Sequence, residues 1–377
     1  MKEKNFWVSC ALLALVGVVV GFSIPTFRGM HKDPPIYPGP GVTEVRRLSE
    51  YFSPLANTPF DTSVYILEGD KPGATVLVVG GTHPNEPAGF LTAVLLVETA
   101  IVEKGRLIVI PRANRSGFTH TEPGEGCPST FKIQTHEGAR EFRFGSRLTN
   151  SVHQWPDPVV YINKSGQQLA GSEVRNLNRC YPGDPNGFPT ERLAYAIMQL
   201  IRSERPAMAF DLHEASPEYP VINTIVAHPK GLDLAVEVAM ELESEGIQIG
   251  VEVSPENLHG LSHREWGDHT DTLPFLMEVA NPSQGRLRGR TDERLILTGQ
   301  DKYYLRAASR GWLYVEYTAE GWTLERRVGR HLEALAAFFR IYSERHPEAP
   351  IVVEGLPSLE ELEAASLGEF LASPGRT

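Results

Sequence analysis

The chain has 377 residues, of which 41% are hydrophobic and 22% charged, and its formal net charge at pH 7 is -11. This length and composition are enough to bury a large core, either as one large domain or as two smaller ones. The negative charge, without any block rich in lysine or arginine, excludes a surface that binds nucleic acid or anionic lipid through clustered cations.

The N-terminal segment differs in kind from the rest of the chain. Lys2 and Lys4 precede a run of apolar and small residues that begins at Phe6 and reaches Ile24, close to the roughly 20 residues that cross a bilayer. Positive charge followed by such a run is typical of an export signal. Because no clear small-x-small cleavage site follows, we expect an uncleaved signal anchor over residues 1–26. A cleaved signal peptide is the alternative, and either one predicts a membrane-anchored or exported protein with its catalytic domain outside the cytoplasm.

The remaining chain is predicted to be a linker, a large α/β domain and a tail. Residues 27–45 contain HKDPPIYPGPG, a proline- and glycine-rich sequence typical of a linker. Short β-branched runs predict strands at 74–79, 106–110, 207–212, 221–226, 248–253 and 272–279. Helical patterns fall at 88–102, 190–203, 232–245 and 323–344. Continuous apolar strands separated by helices predict a doubly wound, mixed, mostly parallel sheet with helices on both faces, over residues 46–350.

Two segments break this alternation. At about residues 112–177 the chain is rich in Gly, Pro, Ser, Thr and Asn, and loops that long inside a domain are usually functional or disordered. Aromatic and charged residues in it favour an ordered lid or binding loop. The segment 351–377 is predicted to be a peripheral tail. Cys127 and Cys180 are the pair available for a disulfide, since Cys10 lies in the N-terminal apolar run.

Histidines and acids occur where predicted strands end. His83 and Glu86 follow the strand 74–79, and Glu278 lies at the end of 272–279. The end of the strand 207–212 contributes Asp211, His213 and Glu214. Because the carboxyl ends of strands meet at the crevice of an open α/β sheet, we expect these side chains to lie together.

This set has the composition of a catalytic zinc site, which takes three protein ligands and leaves one position open. His83 and Glu86 could bind one ion from a single turn, and His213 could complete the set from a neighbouring strand. Such an ion polarises a substrate carbonyl and activates water, and Glu278 is a candidate base for that water. Glu214 could orient an imidazole, although Asp211 is the better candidate for an orienting or structural role. An isolated H-x-x-E is usually only a turn.

A second constellation lies in RNLNRCYPG at residues 175–183. An arginine beside an asparagine suits capture of a carboxylate by a planar guanidinium and an amide. The turn at Pro182 and Gly183 could hold Asn178 and Arg179 outward. A surface salt bridge is the simpler interpretation of an isolated arginine.

Four motifs in this order resemble those of the succinylglutamate desuccinylase and aspartoacylase family, a branch of the zinc carboxypeptidase superfamily. They are HPNE at 83–86, NLNRCYPG at 176–183, DLHEAS at 211–216 and MEVANPSQG at 277–285. The resemblance implies that His83, Glu86 and His213 bind one zinc ion. It also implies that Glu278 is the general base and later proton donor, and that Asn178 and Arg179 hold a substrate carboxylate.

The chain departs from the family pattern at two points. Asn176 stands where the family usually has an acid before its L-N-R motif. The family's carbonyl-polarising arginine has no clear counterpart. We assign that role to Arg175, with Arg147 and Arg112 as alternatives, and we expect Arg147 to contact the substrate. The long segment at 112–177 exceeds what the small deacylases carry, so their substrate is not transferred.

The sequence therefore predicts a zinc-dependent hydrolase with one Zn²⁺ per chain. The expected reaction is deacylation of a small N-acyl amino acid, at an amide bond next to a carboxylate-bearing group. The alternative is a zinc carboxypeptidase that acts on peptides, possibly those of the cell wall, because the same metal site serves both reactions. A non-catalytic binding protein is a third hypothesis, but it would be expected to lack a ligand or the base.

Overall fold

The structure, a computed structural model, describes residues 2–122 and 124–375, with side chains described from Asn5 onward. It divides into two compact units between Pro35 and Ile36. The first unit contains the helix α1 (Lys2–Met30). Its segment Asn5–Met30 has a mean hydropathy of 2.4, and none of its most apolar window is buried. By length and composition this helix could cross a membrane, which fits a signal anchor and equally a signal peptide.

The second unit alternates strands and helices along most of its length. The strands are β1 (Glu44–Arg47), β2 (Ser63–Glu68), β3 (Lys71–Val79), β4 (Ile101–Ile110), β5 (Thr130–Thr135), β6 (Gly138–Arg143), β7 (Val160–Ile162), β8 (Gln168–Ala170), β9 (Met208–Ala215), β10 (Thr224–Ala227), β11 (Gly250–Val253), β12 (Leu273–Ala280) and β13 (Val352–Glu354). The helices are α2 (Pro87–Thr99), α3 (Pro189–Glu204), α4 (Leu232–Ser244), α5 (Ser262–His269), α6 (Glu293–Thr298), α7 (Lys302–Ala308), α8 (Leu324–Arg345) and α9 (Leu359–Ala365).

One mixed sheet organises the second unit. Its strand order is β1-β2-β4-β3-β9-β12-β10-β11, and β13 pairs with β4. The central strands β4, β3, β9 and β12 are parallel to one another, whereas β10 runs antiparallel to β12. Apolar side chains of α2, α4 and α8 pack on one face of the sheet, and those of α3 pack on the other. The predicted fold class, a mixed and mostly parallel α/β sheet covered on both faces, is confirmed.

Strand β9 is longer than the sequence predicts. It continues beyond 212 to Ala215, and all eight of its residues are buried. Side chains alternate between the two faces of a strand. Ala209 therefore joins the α3 side, and Phe210 and Leu212 join the α2 and α8 side. His213 and Glu214 consequently lie on the sheet itself and point to opposite faces.

The segment at 112–177 is ordered and contributes to the core. It contains the β5–β6 and β7–β8 hairpins. Phe131 and Phe142 of the first hairpin are buried in the α2 and α8 side of the core, and Val174 and Leu177 are buried on the α3 side. A segment with this many buried side chains is part of the domain's packing, and only portions of it are free to act as a lid.

Two boundary predictions need correction, and the state of the two cysteines is settled. The segment 351–377 is not peripheral, since β13 pairs with β4 and Leu362, Leu367 and Leu371 are buried in the main core. The apolar face of α9 packs on α8, which explains this burial. The predicted linker is too long, because residues from Ile36 onward belong to the second unit. Cys127 and Cys180 are free, so the disulfide that the sequence left open is not formed, and the Cys180 thiol donates to the backbone oxygen of Val174 at 3.4 Å.

Candidate metal centre

Three neighbouring strands bring the predicted ligands and base to one edge of the sheet. His83 and Glu86 lie in the turn between β3 and α2, and this turn begins at Gly81, whose φ of 69° favours glycine. His213 is on β9, and Glu278 is beside it in register on β12. The register of a parallel pair places these two side chains on the same face. The turn and the two strands thus deliver all four side chains to one site.

The three predicted ligands converge on one point. His83 Nδ1 lies 2.8 Å from Glu86 Oε1, and His213 Nδ1 lies 3.0 Å from Glu86 Oε2. The two Nδ1 atoms are 3.1 Å apart, and the three side chains are at most 2% exposed. Two ligands in a tetrahedral zinc site are about 3.3 Å apart, given zinc–nitrogen distances of about 2.0–2.1 Å. The spacing of these atoms therefore suits a metal ion of this size.

The far side of each imidazole contacts a hydrogen-bond acceptor. His83 Nε2 lies 2.9 Å from Asn176 Oδ1, and His213 Nε2 lies 2.9 Å from a carboxylate oxygen of Asp211. The amide of Asn176 is fixed in this orientation, since its Nδ2 donates to Glu173 and its Oδ1 also accepts the backbone N–H of Asn178. The Asn176 oxygen therefore favours a proton on His83 Nε2, and the charge of Asp211 at 2.9 Å favours one on His213 Nε2 when the rings are neutral.

This arrangement leaves both Nδ1 atoms as lone-pair donors that face the carboxylate of Glu86. Three electron-pair donors without a proton among them need a cation between them. Without a metal, a proton on His213 is the alternative. Burial opposes that charge, but the carboxylates of Asp211 and Glu86 outweigh burial and raise the pKa of His213 well above its usual value. For His83, burial and the charge of Arg147 lower the pKa to about 4. The donor set fits a dication such as zinc.

Glu278 is half-buried beside His213, as expected for the proposed base. Its Oε2 is buried and makes no hydrogen bond within the described residues. Burial raises the pKa of Glu278 to about 8, and the nearby His213 and Arg147 oppose this shift. A bound cation would also oppose the effect of burial and bring the pKa of Glu278 down from about 8. A pKa near neutrality suits a group that exchanges a proton near neutral pH.

The structure separates the candidate arginines. Arg175 forms a bidentate ion pair with Asp157 and donates to the backbone oxygen of Thr149. Arg147, from the segment at 112–177, has its Nη1 atom 3.6 Å from Glu86 Oε1, and its side chain is 37% exposed. Arg147 is therefore adjacent to the metal ligands and accessible, whereas the guanidinium of Arg175 is occupied by another carboxylate.

Asn178 and Arg179 lie near the same cluster. Arg179 Nη1 donates to the backbone oxygen of Asn178 at 2.6 Å, and Arg179 Nε is 3.8 Å from Glu173. Burial and the charge of Arg147 lower the pKa of Arg179, so the two guanidinium groups are electrostatic neighbours. The Asn178 side-chain oxygen accepts the backbone N–H of Ser262 at 2.9 Å, which fixes the amide in place.

Glu214 has a different role from its neighbours in the DLHE motif. Its side chain points to the opposite face and forms an ion pair with Arg327 of α8 at 2.8 Å, and both side chains are fully buried. Its other oxygen accepts the N–H of Ala88 in the first turn of α2. Only the backbone N–H of Glu214 reaches the metal centre, where it donates to Glu86 at 3.1 Å. The imidazole of His213 is oriented by Asp211, so the suggested orienting role of the Glu214 side chain is wrong.

Sequence reasoning did not identify how Asn176 acts. Its contact with His83 joins residues 93 positions apart in the chain. The sequence hinted at it only because Asn176 stands where the resembled family has an acid. Asp211 is itself held by the hydroxyl groups of Thr82 and Ser262, at 2.7 and 2.5 Å. No local pattern marks these two hydroxyl groups, because they come from different parts of the chain.

No protein-family model and no curated protein matches the sequence. Among solved structures, the chain is similar to a succinylglutamate desuccinylase/aspartoacylase from Rhodobacter sphaeroides, with 18% identity, a TM-score of 0.39, and coverage of 69% of this chain and 62% of that one. It is also similar to a metallo-carboxypeptidase from Burkholderia cenocepacia, with 14% identity, a TM-score of 0.46, and coverage of 85% and 68%. A cell shape determinant protein from Helicobacter pylori gives 12% identity, a TM-score of 0.45, and coverage of 80% and 58%.

The solved structures that the chain resembles thus include one named as a succinylglutamate desuccinylase/aspartoacylase and one named as a metallo-carboxypeptidase. The chain spans less than two thirds of the length of the Rhodobacter sphaeroides structure. All three likenesses are distant, so the roles assigned below rest on the contacts of the site itself.

Proposed function

We propose that the chain is a zinc-dependent hydrolase that cleaves an amide bond next to a carboxylate-bearing group. The supporting observation is the convergence of His83 Nδ1, His213 Nδ1 and the Glu86 carboxylate. The Nε2 atoms of the two imidazoles contact Asn176 and Asp211, which orient the rings. Two histidines and one carboxylate leave a coordination position open, as in catalytic zinc sites. Glu278 is in register with His213 on the neighbouring strand, where it could reach water bound by such an ion.

Glu278 performs the proton transfers. A bound zinc ion polarises the substrate carbonyl and lowers the pKa of water. Glu278 accepts the proton of the attacking water and later returns it to the leaving amine. Its unpartnered carboxylate oxygen is free to accept that proton, and its pKa, raised by burial to about 8, favours the return.

Arg147 stabilises the negative charge that develops on the carbonyl oxygen. Its guanidinium is adjacent to Glu86 and partly exposed, so a bound substrate can reach it. The ion pair between Arg175 and Asp157 leaves Arg175 unsuited to this role. We therefore reassign the role from Arg175 to Arg147.

Asn178 and Arg179 bind the substrate carboxylate. Arg179 is 25% exposed and is 3.8 Å from its nearest acid, Glu173, which is long for an ion pair. An incoming carboxylate can form a shorter, bidentate pair with it. The proximity of Arg147 raises the local positive charge and favours such an anion.

The favoured substrate is a small N-acyl amino acid, and the alternative is a peptide with a free C-terminal carboxylate. Purified protein loaded with zinc is assayed against N-acetyl and N-succinyl amino acids and against C-terminally free peptides, including cell-wall peptides. We expect zinc-dependent release of a free amino acid from the acylated compounds. Hydrolysis of the peptides alone would establish the carboxypeptidase alternative, and no hydrolysis in either group would contradict the enzymatic proposal.

We also propose that α1 anchors the catalytic domain outside the cytoplasm. The support is its length and its mean hydropathy of 2.4. Cell fractionation should find the protein in membranes with its N-terminal segment intact. Recovery of a soluble, shortened chain would favour the cleaved signal peptide instead.

A further inference from the structure

A cavity of about 950 Å³ lies at the ends of strands β10 and β11, which follow β12 in the strand order of the sheet. Asn223, which precedes β10, and Gly250, which begins β11, contribute to its wall, together with Arg326 and Arg330 of α8. The residue after Asn223 is registered with Glu278 across β10 and β12. The cavity is therefore one strand away from the strand that carries the proposed base, and its described lining includes neither that base nor the candidate metal ligands.

Arg330 is a buried cation in the wall of this cavity. Only 7% of the residue is exposed, and its Nε is buried without a hydrogen bond within the described residues. Its Nη2 donates to the backbone oxygen of Gln248, and its guanidinium lies 5.6 Å from the centre of the Trp322 ring. Burial and the charge of Arg326 lower the pKa of Arg330 to about 10. The environment of Arg330 is therefore short of negative charge.

The two arginines of α8 that neighbour Arg330 each form an ion pair with a carboxylate. Arg326 Nε donates to Glu363 at 2.6 Å, and Arg327 is paired with Glu214. Within the described residues, no ion pair joins Arg330 to a carboxylate. A buried charge without a counter-charge is costly, and an anionic ligand in the cavity would supply one.

The positive and the negative side chains of the cavity differ in how far they are buried. Arg330 is buried, whereas the carboxylates of Glu243, Glu316 and Glu320 are on exposed residues of the rim. Trp322, which is 9% exposed, adds aromatic surface near Arg330, and Tyr314, which is 64% exposed, adds it at the rim. A ligand with a carboxylate at its inner end and a donor or cationic group at its outer end matches this order, because each end then meets the opposite charge.

We propose that this cavity binds a small carboxylate-bearing molecule, whose oxyanion pairs with the guanidinium of Arg330. The site is separate from the metal centre and does not depend on the proposed hydrolysis. A planar guanidinium favours a carboxylate because it can donate two parallel hydrogen bonds.

The test is calorimetric titration of succinate into the full-length protein in detergent. The background carries His83→Ala and Arg179→Ala, because these remove a candidate metal ligand and the guanidinium proposed to bind the substrate carboxylate. We expect one bound succinate per chain in this background. Arg330→Met should weaken its Kd at least about tenfold, since a charge-assisted hydrogen bond is lost. The matched control is Arg340→Met, which removes an exposed arginine of the same helix that pairs with Glu241 and should leave the Kd unchanged.

Other outcomes overturn the proposal. Succinate binding that disappears in the His83→Ala, Arg179→Ala background would assign it to the proposed substrate site. An equal Kd for succinate in Arg330→Met and in its background would exclude the cavity as the binding site. A wild-type Kd in Arg330→Lys, which keeps the charge but loses the planar guanidinium, would exclude it as well. Arg330→Lys also serves if Arg330→Met does not fold by circular dichroism. Binding of inorganic phosphate without binding of succinate would contradict the carboxylate class.

Discussion

The two faces of β9 near its end hold buried charges in opposite ways. On one face, Asp211 and His213 adjoin a set of electron-pair donors that contains no arginine or lysine. On the other face, one residue further, Glu214 meets the guanidinium of Arg327. Buried carboxylates close together on one strand can therefore have different roles, since Asp211 contacts an imidazole of the candidate metal centre and Glu214 pairs with an arginine. What distinguishes the candidate metal centre is that its three donors converge on one another, while Arg147 approaches only Glu86 Oε1, at 3.6 Å.

The largest expected effect comes from the base on the metal-centre face. Glu278→Gln removes the proton acceptor but keeps the size of the side chain. Turnover should fall about 10²- to 10⁴-fold, the range of general acid–base catalysis, while bound zinc is retained. Steady-state kinetics and elemental analysis measure the two properties, and full activity in this variant would refute the assigned base.

The next effect tests the opposite face. Arg327→Met leaves Glu214 buried without its partner, and breaking a buried ion pair in this way costs about 3–5 kcal/mol. Urea unfolding of the zinc-loaded protein measures the change. The matched control is Arg326→Met, which removes a half-exposed arginine of the same helix and should cost about 1 kcal/mol or less. Equal losses in the two variants would contradict the structural role of the buried pair.

Arg147 and Arg175 provide a matched pair within the catalytic proposal. Arg147→Ala should lower kcat about 10²- to 10³-fold, as for the loss of a group that stabilises an oxyanion. Arg175→Ala removes the partner of Asp157, so it should reduce stability while leaving turnover per folded molecule nearly unchanged. If the Arg175 variant lost the greater part of kcat instead, the original sequence assignment would be restored.

Asn176 should have the smallest effect of the four. Asn176→Ala removes the acceptor behind His83, and loss of such a partner costs about 10- to 100-fold in metal affinity or activity. Competition with a chelator measures the zinc Kd. Asn176→Asp, which keeps an acceptor and adds charge, should bind zinc at least as tightly as the wild type, and a similar loss in both variants would argue against this contact.

The sequence predicted the central strands well because they are continuous apolar runs. It also predicted that His83, Glu86 and His213 lie together, since each is close to the end of such a strand. It ended β9 too early because DLHE is polar, and polar residues at a strand end resemble a turn. In the structure these residues are still paired with β12, which no local pattern reveals.

The arginine and the tail depended on long-range packing. Arg147 reaches Glu86 only because the segment at 112–177 folds back over the sheet. Arg175 was assigned instead because it lies next to the L-N-R motif in the sequence. The apolar face of α9 was recognisable as one side of an amphipathic helix, but its partner, α8, was not. Contacts between distant segments therefore explain both differences.

Zinc stoichiometry in the wild-type protein and in His83→Ala tests the central claim most directly. The metal centre predicts one zinc ion per chain in the wild type, measured by elemental analysis after dialysis. It predicts almost none in His83→Ala, because one of only three protein ligands is missing. One zinc per chain in both proteins would show that the ion binds elsewhere and would contradict the account.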